Sequence, residues 1–359
     1  ALSIPDHDKG DNQHRYTSTP GSHTGDKSCK ANSKGGESCP DEKQSLKPSP
    51  SASEQQKQVA VGRKNVKSNE QQDKQKLFLA VREGDEEEVE ELLWDGVSIE
   101  SKDKKGNTAL HVASRHGQLG ITRLLLDEGA NPNVRNAELR TPLHFACSNG
   151  HHDIVTALTD AGADIEASDN AGWSPLHDAC VDGDTGVVTM LLDKGADPDV
   201  KNEKGWSPLH VACSGDSLEL VDLLLERGAD IDTRDYKGWT PLHEASSLGL
   251  EEVVTRLVRG HASINVRDME GRTPLHEACL LDDEHLVKIL LDRGADADVR
   301  DEVGRLPIHY ASQKNQLAVK ILLDRGVDVN AVDNSSSTPL HHASISGNEN
   351  AARTLLGWT

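Results

Sequence analysis

Three successive segments of this chain read Gly172-Trp173-Ser174-Pro175-Leu176-His177, Gly205-Trp206-Ser207-Pro208-Leu209-His210 and Gly238-Trp239-Thr240-Pro241-Leu242-His243. The interval from Trp173 to Trp206 is repeated from Trp206 to Trp239. A Ser or Thr hydroxyl caps the first orphan N–H groups of a helix, and a Pro just inside it sits where its missing N–H and fixed φ are harmless. Each copy therefore predicts a helix start.

Working outward, the copies begin at Thr108, Thr141, Ser174, Ser207, Thr240 and Thr273, then at Leu306 and at Thr338, where the interval shortens by one. A second apolar-periodic segment follows each, such as Val187, Val188, Leu191 and Leu192, or Val221, Leu224 and Leu225, at the spacing of a one-sided helix. Gly129, Gly162, Gly195, Gly228, Gly294 and Gly326 stand where a left-handed residue ends that helix. The unit is thus helix, tight loop, helix, and an extended Gly-Ala-Asp turn into the next copy. Self-similarity at a period of about 33 residues, with Thr/Ser-Pro-Leu-His at the same point in each copy, resembles the ankyrin repeat family and its T-P-L-H-x-A signature. The resemblance spans about four-fifths of the chain and implies an all-α solenoid of paired antiparallel helices with β-turn fingers, in about nine repeats.

Composition agrees with stacked small-residue helices rather than a conventional aromatic-rich core: 359 residues contain two Phe, three Tyr and five Trp. The net charge of -21 is unevenly spread. Residues 1–74 carry 12 Lys/Arg against 10 Asp/Glu, whereas residues 75–359 carry 27 against 50. So acidic an array repels a phosphate backbone and favours basic partners, which argues against direct nucleic-acid binding. No apolar run approaches the roughly 18 residues a membrane span needs, and no signal-peptide pattern is present, so no membrane insertion is expected. Cys147, Cys180, Cys213 and Cys279 share one repeat position, three residues after the motif His, and read as small core residues. Each stands a full repeat or more from the next, so they lack the short ligand spacing of a zinc site. A reduced intracellular compartment, cytoplasmic or nuclear, accounts for all six cysteines, Cys29 and Cys39 included.

Residues 1–74, rich in Ser, Lys, Gln, Asp, Gly and Pro, are expected to form a disordered polar arm. Within it Arg63-Lys64-Asn65-Val66-Lys67 reads as a solvated charge run before a nuclear-import signal. Residues 75–103 read as an N-terminal capping repeat, with Phe78 in place of the motif His and Asp85, Glu86, Glu87 and Glu88 opening its second helix. Residues 104–359 hold eight further repeats. Leu139 replaces a turn Gly, His261 replaces a helix-ending Gly, and the last repeat stops at Leu355-Leu356-Gly357-Trp358-Thr359, before its turn, as though cut.

Eight of the 17 histidines, His111, His144, His177, His210, His243, His276, His309 and His341, are the motif histidines. The resemblance implies that each imidazole ties loops within and between repeats. The adjacent pairs His151-His152 and His341-His342 point in different directions on a helix and make poor joint ligands. No Walker-type loop, His-Glu-x-x-His or Gly-x-Ser-x-Gly appears, so neither an enzyme nor a cofactor or metal site is expected.

The surface carries more. The residue between the turn Gly and the Thr/Ser cap, here called the foot position, reads Asn107, Arg140, Trp173, Trp206, Trp239, Arg272, Arg305 and Ser337. The residue after the motif His reads Val112, Phe145, Asp178, Val211, Glu244, Glu277, Tyr310 and His342. The resemblance implies that both rows face a concave groove used for partners. Trp and Arg are enriched at binding hot spots. Trp173, Trp206 and Trp239, flanked by Arg140, Arg272 and Arg305, therefore read as a partner-binding ledge, with Asp178, Glu244, Glu277 and Tyr310 beside it. A partner's Lys or Arg is expected to lie on an indole while pairing with a carboxylate. The competing reading has the indoles packing on one another as structure. Arg135, Lys201, Arg234, Arg267 and Arg300 at the turn tips are expected to pair with Asp169, Asp235, Asp268 and Asp301. Asn330 and Asn133 resemble asparagines that are hydroxylated in family members, and serve equally as turn residues.

The expectation is a monomeric, non-enzymatic scaffold or adaptor that binds a basic protein segment. One alternative is the regulatory or targeting region of a larger enzyme or channel whose functional domain lies beyond Thr359. Trp239-Thr240-Pro241-Leu242-His243-Glu244-Ala245 is also similar to ankyrin domains that read histone tails. An inert spacer would require buried indoles.

Overall fold

The computed structural model describes residues 70–281, 283–314 and 316–358. The expected disorder of residues 1–69, the basic run at 63–67, Cys29 and Cys39 lie outside the described residues. Among those described, 18 helices and no strand are found. The first, α1, covers 70–83 and so takes in residues 70–74, which the sequence placed in the polar arm. It buries Leu77, Ala80 and Val81. Its partner α2 (Glu86–Trp94) opens with Asp85 accepting the Glu88 N–H at 3.0 Å and three glutamates in the first turn, which complement the helix dipole.

Eight helix pairs follow. The inner helices are α3 (Ala109–Arg115), α5 (Pro142–Cys147), α7 (Pro175–Asp182), α9 (Pro208–Ser214), α11 (Pro241–Leu248), α13 (Pro274–Ala278), α15 (Pro307–Lys314) and α17 (Pro339–Ser346). The outer helices are α4 (Leu119–Asp127), α6 (His152–Asp160), α8 (Thr185–Asp193), α10 (Leu218–Glu226), α12 (Glu251–Arg259), α14 (Glu284–Asp292), α16 (Gln316–Asp324) and α18 (Glu349–Trp358). Each inner helix packs on its own outer helix and on the next inner one, so two layers run along the stack.

The layers differ because their burial differs. Outer helices bury one stripe, Leu220, Val221 and Leu224 on α10 for example, whereas α9 buries every residue from Pro208 to Cys213. An alanine two residues after each motif His, Ala113, Ala146, Ala179, Ala212, Ala245, Ala278, Ala311 and Ala343, is fully buried and lets neighbouring inner helices approach closely. This is how a core with few aromatics is filled. Cys147, Cys180, Cys213 and Cys279 are buried free thiols in that layer, and desolvation pushes each thiol pKa up.

The helix stops follow the pattern read from the sequence. Gly129, Gly162, Gly195, Gly228, Gly294 and Gly326 lie at φ between 85° and 96°, and His261 takes the same role at 69°. In the fingers a single backbone bond joins each tip to the next, such as Glu203 N–H to the Ala171 carbonyl at 3.0 Å and Tyr236 N–H to that of Lys204 at 3.1 Å. The fingers run so close that a Cβ on Gly172 would meet Glu203 N at 2.6 Å. Leu139 and Ser336 occupy the equivalent turn position at φ 62° and 59°.

The finger cations do not find the aspartates the sequence suggested. Arg135 donates to the Ser168 carbonyl (3.2 Å), Lys201 to that of Arg234 (2.8 Å), Arg234 to that of Arg267 (3.0 Å), Arg267 to that of Arg300 (3.0 Å) and Arg300 to that of Val332 (2.7 Å). Meanwhile Asp169, Asp235, Asp268 and Asp301 accept backbone N–H groups of their own turns.

Candidate functional site

The capped start of each inner helix fixes what stands on the groove face. Thr108 N–H donates to His111 Nδ1 at 3.1 Å, and the same bond recurs in every later repeat through His341. Nδ1 is thereby an acceptor, so the proton sits on Nε2 and is donated across the repeat boundary. It reaches the foot carbonyl of the next repeat: Arg140 from His111, Trp173 from His144, Trp206 from His177, Trp239 from His210, Arg272 from His243 and Arg305 from His276, at 2.9–3.3 Å. His309 instead reaches the Ala331 carbonyl at 3.1 Å. Burial lowers His111, His177, His243 and His276 to about 4 and His144 to about 3. These are neutral structural imidazoles, each holding a foot residue in place.

The foot side chains lie along the groove face in two chemistries. Trp173, Trp206 and Trp239 are half-buried. Their ring contacts are with the motif imidazoles of their own repeats, Trp173 with His177 (5.4 Å), Trp206 with His210 (6.2 Å) and Trp239 with His243 (6.1 Å). Each indole leans on its own helix start.

The arginines are committed inside the chain. Arg140 is buried, its guanidinium 5.0 Å from the Phe145 ring and 2.5 Å from Asp178 Oδ2 in the next repeat. Arg272 pairs with Asp268 (3.1 Å), Glu270 (3.3 Å) and Glu277 (3.1 Å), and stands 5.9 Å from the Trp239 ring. It takes the place the sequence reading gave to a partner's cation on that indole. Arg305 lies over Tyr310 at 5.8 Å and 3.7 Å from Asp333. Tyr310 is buried and donates to Asp301 Oδ2 at 2.6 Å.

The three carboxylates beside the ledge are buried as well: Asp178 is 2% exposed, Glu244 3% and Glu277 5%. Desolvation pushes each up to about 7, opposed at Asp178 by Arg140 and at Glu277 by Arg272. At Glu244 the neighbouring Asp235 adds to the rise and Lys237 opposes it. Asp178 and Glu277 have internal ion pairs, whereas Glu244 has none among the described residues.

Sequence reasoning assigned Asp268 and Asp301 to the finger cations and missed that they and Asp333 reach the groove. Asp268 Oδ2 accepts the Trp239 indole N–H at 3.0 Å, Asp301 Oδ2 accepts from Tyr310, and Asp333 Oδ2 bonds His342 Nε2 at 2.9 Å. These turn aspartates use one oxygen for the finger backbone and the other to brace a groove side chain. The signal was the recurrence of an Asp or Asn four residues before each foot position.

The profile describing ankyrin repeats (3 copies) matches in overlapping segments at 57–136, 77–169, 134–202, 176–268, 235–301 and 275–358. This chain is an ankyrin-repeat protein. Among solved structures it is similar to the ankyrin repeat domain of Bcl-3, described as a unique member of the IkappaB protein family. That likeness has 32% identity and a TM-score of 0.54, and covers 60% of this chain and 97% of the other. A comparison with curated protein sequences returned no match. Ankyrin arrays are protein-interaction modules, and this one also has no helix, among the described residues, long and apolar enough to cross a membrane. No cluster of His, Cys, Asp and Glu suited to a metal ion occurs among the described residues.

Proposed function

We propose that this chain is a non-enzymatic adaptor that holds a basic segment of a protein partner across Trp173, Trp206 and Trp239. The observation that carries the reading is the change of chemistry along the foot row. At Arg140 and Arg272 the side chain is tied into internal ion pairs, while three consecutive positions between them are partly exposed indoles. A run of partly exposed aromatics on a monomer's surface marks an interaction site. The acidic balance of residues 75–359, 27 Lys/Arg against 50 Asp/Glu, favours a basic partner. Likeness to an IkappaB-family ankyrin domain agrees with protein binding.

The test compares proteins captured from cell extract by the wild-type chain and by a Trp173→Ala, Trp206→Ala, Trp239→Ala variant shown to be folded by circular dichroism. Partners held by the wild type alone, with cross-links on the foot row, support the reading. Equal capture by both chains overturns it.

A further inference from the structure

The repeat register singles out one carboxylate on the groove face. Two internal contacts show from where a foot arginine neutralises the residue after the motif His. Arg140 reaches forward to Asp178 from the preceding repeat, and Arg272 reaches Glu277 within its own repeat. Each of these carboxylates therefore has a foot position on either side, and one of the two is an arginine: Arg140 and Trp173 for Asp178, Trp239 and Arg272 for Glu277. For Glu244 the same two positions are Trp206 and Trp239. Neither carries a positive charge.

From this register we propose that Glu244, between Trp206 and Trp239, is the seat for an arginine side chain of the partner, a refinement that rests on the groove-binding reading above. The array itself supplies the template. Where Arg272 is present it lies beside the Trp239 indole and pairs with Glu277, which is the arrangement a partner guanidinium would complete one repeat earlier. A planar guanidinium stacks on an aromatic face and forks onto a carboxylate at once, which a lysine ammonium does not.

Burial of a carboxylate that has no ion pair among the described residues is costly, and that cost is what the incoming cation relieves. Desolvation holds the Glu244 carboxyl up at about 7, and Asp235 adds to the rise. Glu244 is 3% exposed, so an arginine is seated there only when neighbouring side chains move, a change that the fluorescence of Trp206 and Trp239 is used to read.

The experiment titrates acetyl-hexa-arginine amide into the full chain at pH 8, read by tryptophan fluorescence and calorimetry, with acetyl-hexa-lysine amide in parallel. Glu244→Gln is isosteric, and Glu244→Val copies Val211, the residue at this position one repeat earlier. Glu252→Gln, on exposed surface of the outer helix α12, removes the same charge away from the groove. Expected is a loss of affinity of about thirtyfold in both Glu244 variants, the low end for removing one partner of a buried ion pair, with Glu252→Gln within about twofold, as for a screened surface charge. Hexa-lysine should bind the wild type more weakly than hexa-arginine.

Equal affinity of wild type and both Glu244 variants, or no binding by the wild type, overturns the seat. If the Glu244 variants bind normally while the triple tryptophan variant does not, the groove reading survives and the seat alone is refuted. If the triple variant also binds normally, both fall.

Discussion

The Nε2 of His177 lies 2.9 Å from the carbonyl oxygen of Trp206, so the helix start of one repeat holds the foot of the next. Replacing His177 by Ala removes this bond and the cap contact at Nδ1, and leaves the Trp206 carbonyl with the Asn202 N–H as its one remaining donor among the described residues. A cost of about 2–4 kcal/mol in urea unfolding is expected. His341, which is exposed and whose Nε2 makes no bond to a further repeat among the described residues, is the internal control. His341→Ala should cost about 1 kcal/mol or less; equal losses at both positions would remove the inter-repeat bond as the cause.

Acid should unfold the array through these imidazoles. The folded-state pKa values of His111, His177, His243 and His276, about 4, lie below the unfolded value of 6.5. Between 6.5 and 4 the unfolded chain binds more protons, so stability is present above pH 6.5 and is lost as pH falls. Each imidazole contributes on the order of 1–3 kcal/mol to this slope. Melting temperatures measured from pH 7 to pH 4 should fall steadily, and less steeply in a His177→Gln variant.

The Glu244 carboxyl runs the other way. Its folded pKa, about 7, is above the usual carboxylate range, so the folded chain binds more protons between pH 4.5 and 7 and stability falls as pH rises. Glu244→Gln should match wild type near pH 5 and exceed it by about 2 kcal/mol at pH 8. Denaturant midpoints at the two pH values decide this, and an unchanged difference would show that Glu244 is solvated.

The buried Arg140–Asp178 pair should behave as one unit. Arg140→Trp strands a buried carboxylate at a cost of about 3–5 kcal/mol. Adding Asp178→Val recreates the Trp173 and Val211 combination found at the same register one repeat later, and should recover most of the loss. A double variant no more stable than the worse single one would contradict that equivalence.

Leu139 sits at φ 62°, where its counterparts other than Ser336 are glycines at 75–79°. Leu139→Gly relieves a left-handed backbone conformation that costs a residue with a side chain about 1–2 kcal/mol and should raise the melting temperature. A fall would mean that the half-exposed Leu139 side chain contributes more by packing than its backbone conformation costs.

The repeat array was legible in the sequence because its signals are local. Ser207-Pro208 starts a helix whatever surrounds it, and Gly228 ends one because only its missing Cβ makes φ 90° easy. The motif histidines were legible by their recurrence and the cysteines by their place in the apolar side of the inner helix. The helical conformation of residues 70–74 was not, since Glu70, Gln71, Gln72, Asp73 and Lys74 carry no periodic apolar residue.

What the sequence by itself determined is the period, the capped starts, the left-handed stops and the rows of residues that share a position, because each depends on the backbone within a few residues. Tertiary structure decided how those rows are used. Whether a carboxylate is neutralised depends on which side chain the neighbouring repeat brings against it, as Arg140 is brought against Asp178 across a repeat boundary. Stacking also sent the finger cations to backbone carbonyls and the turn aspartates to Trp239 and Tyr310. Ionic and hydrogen-bonding partners are set by separations of about 3 Å, which residue spacing along the chain does not specify.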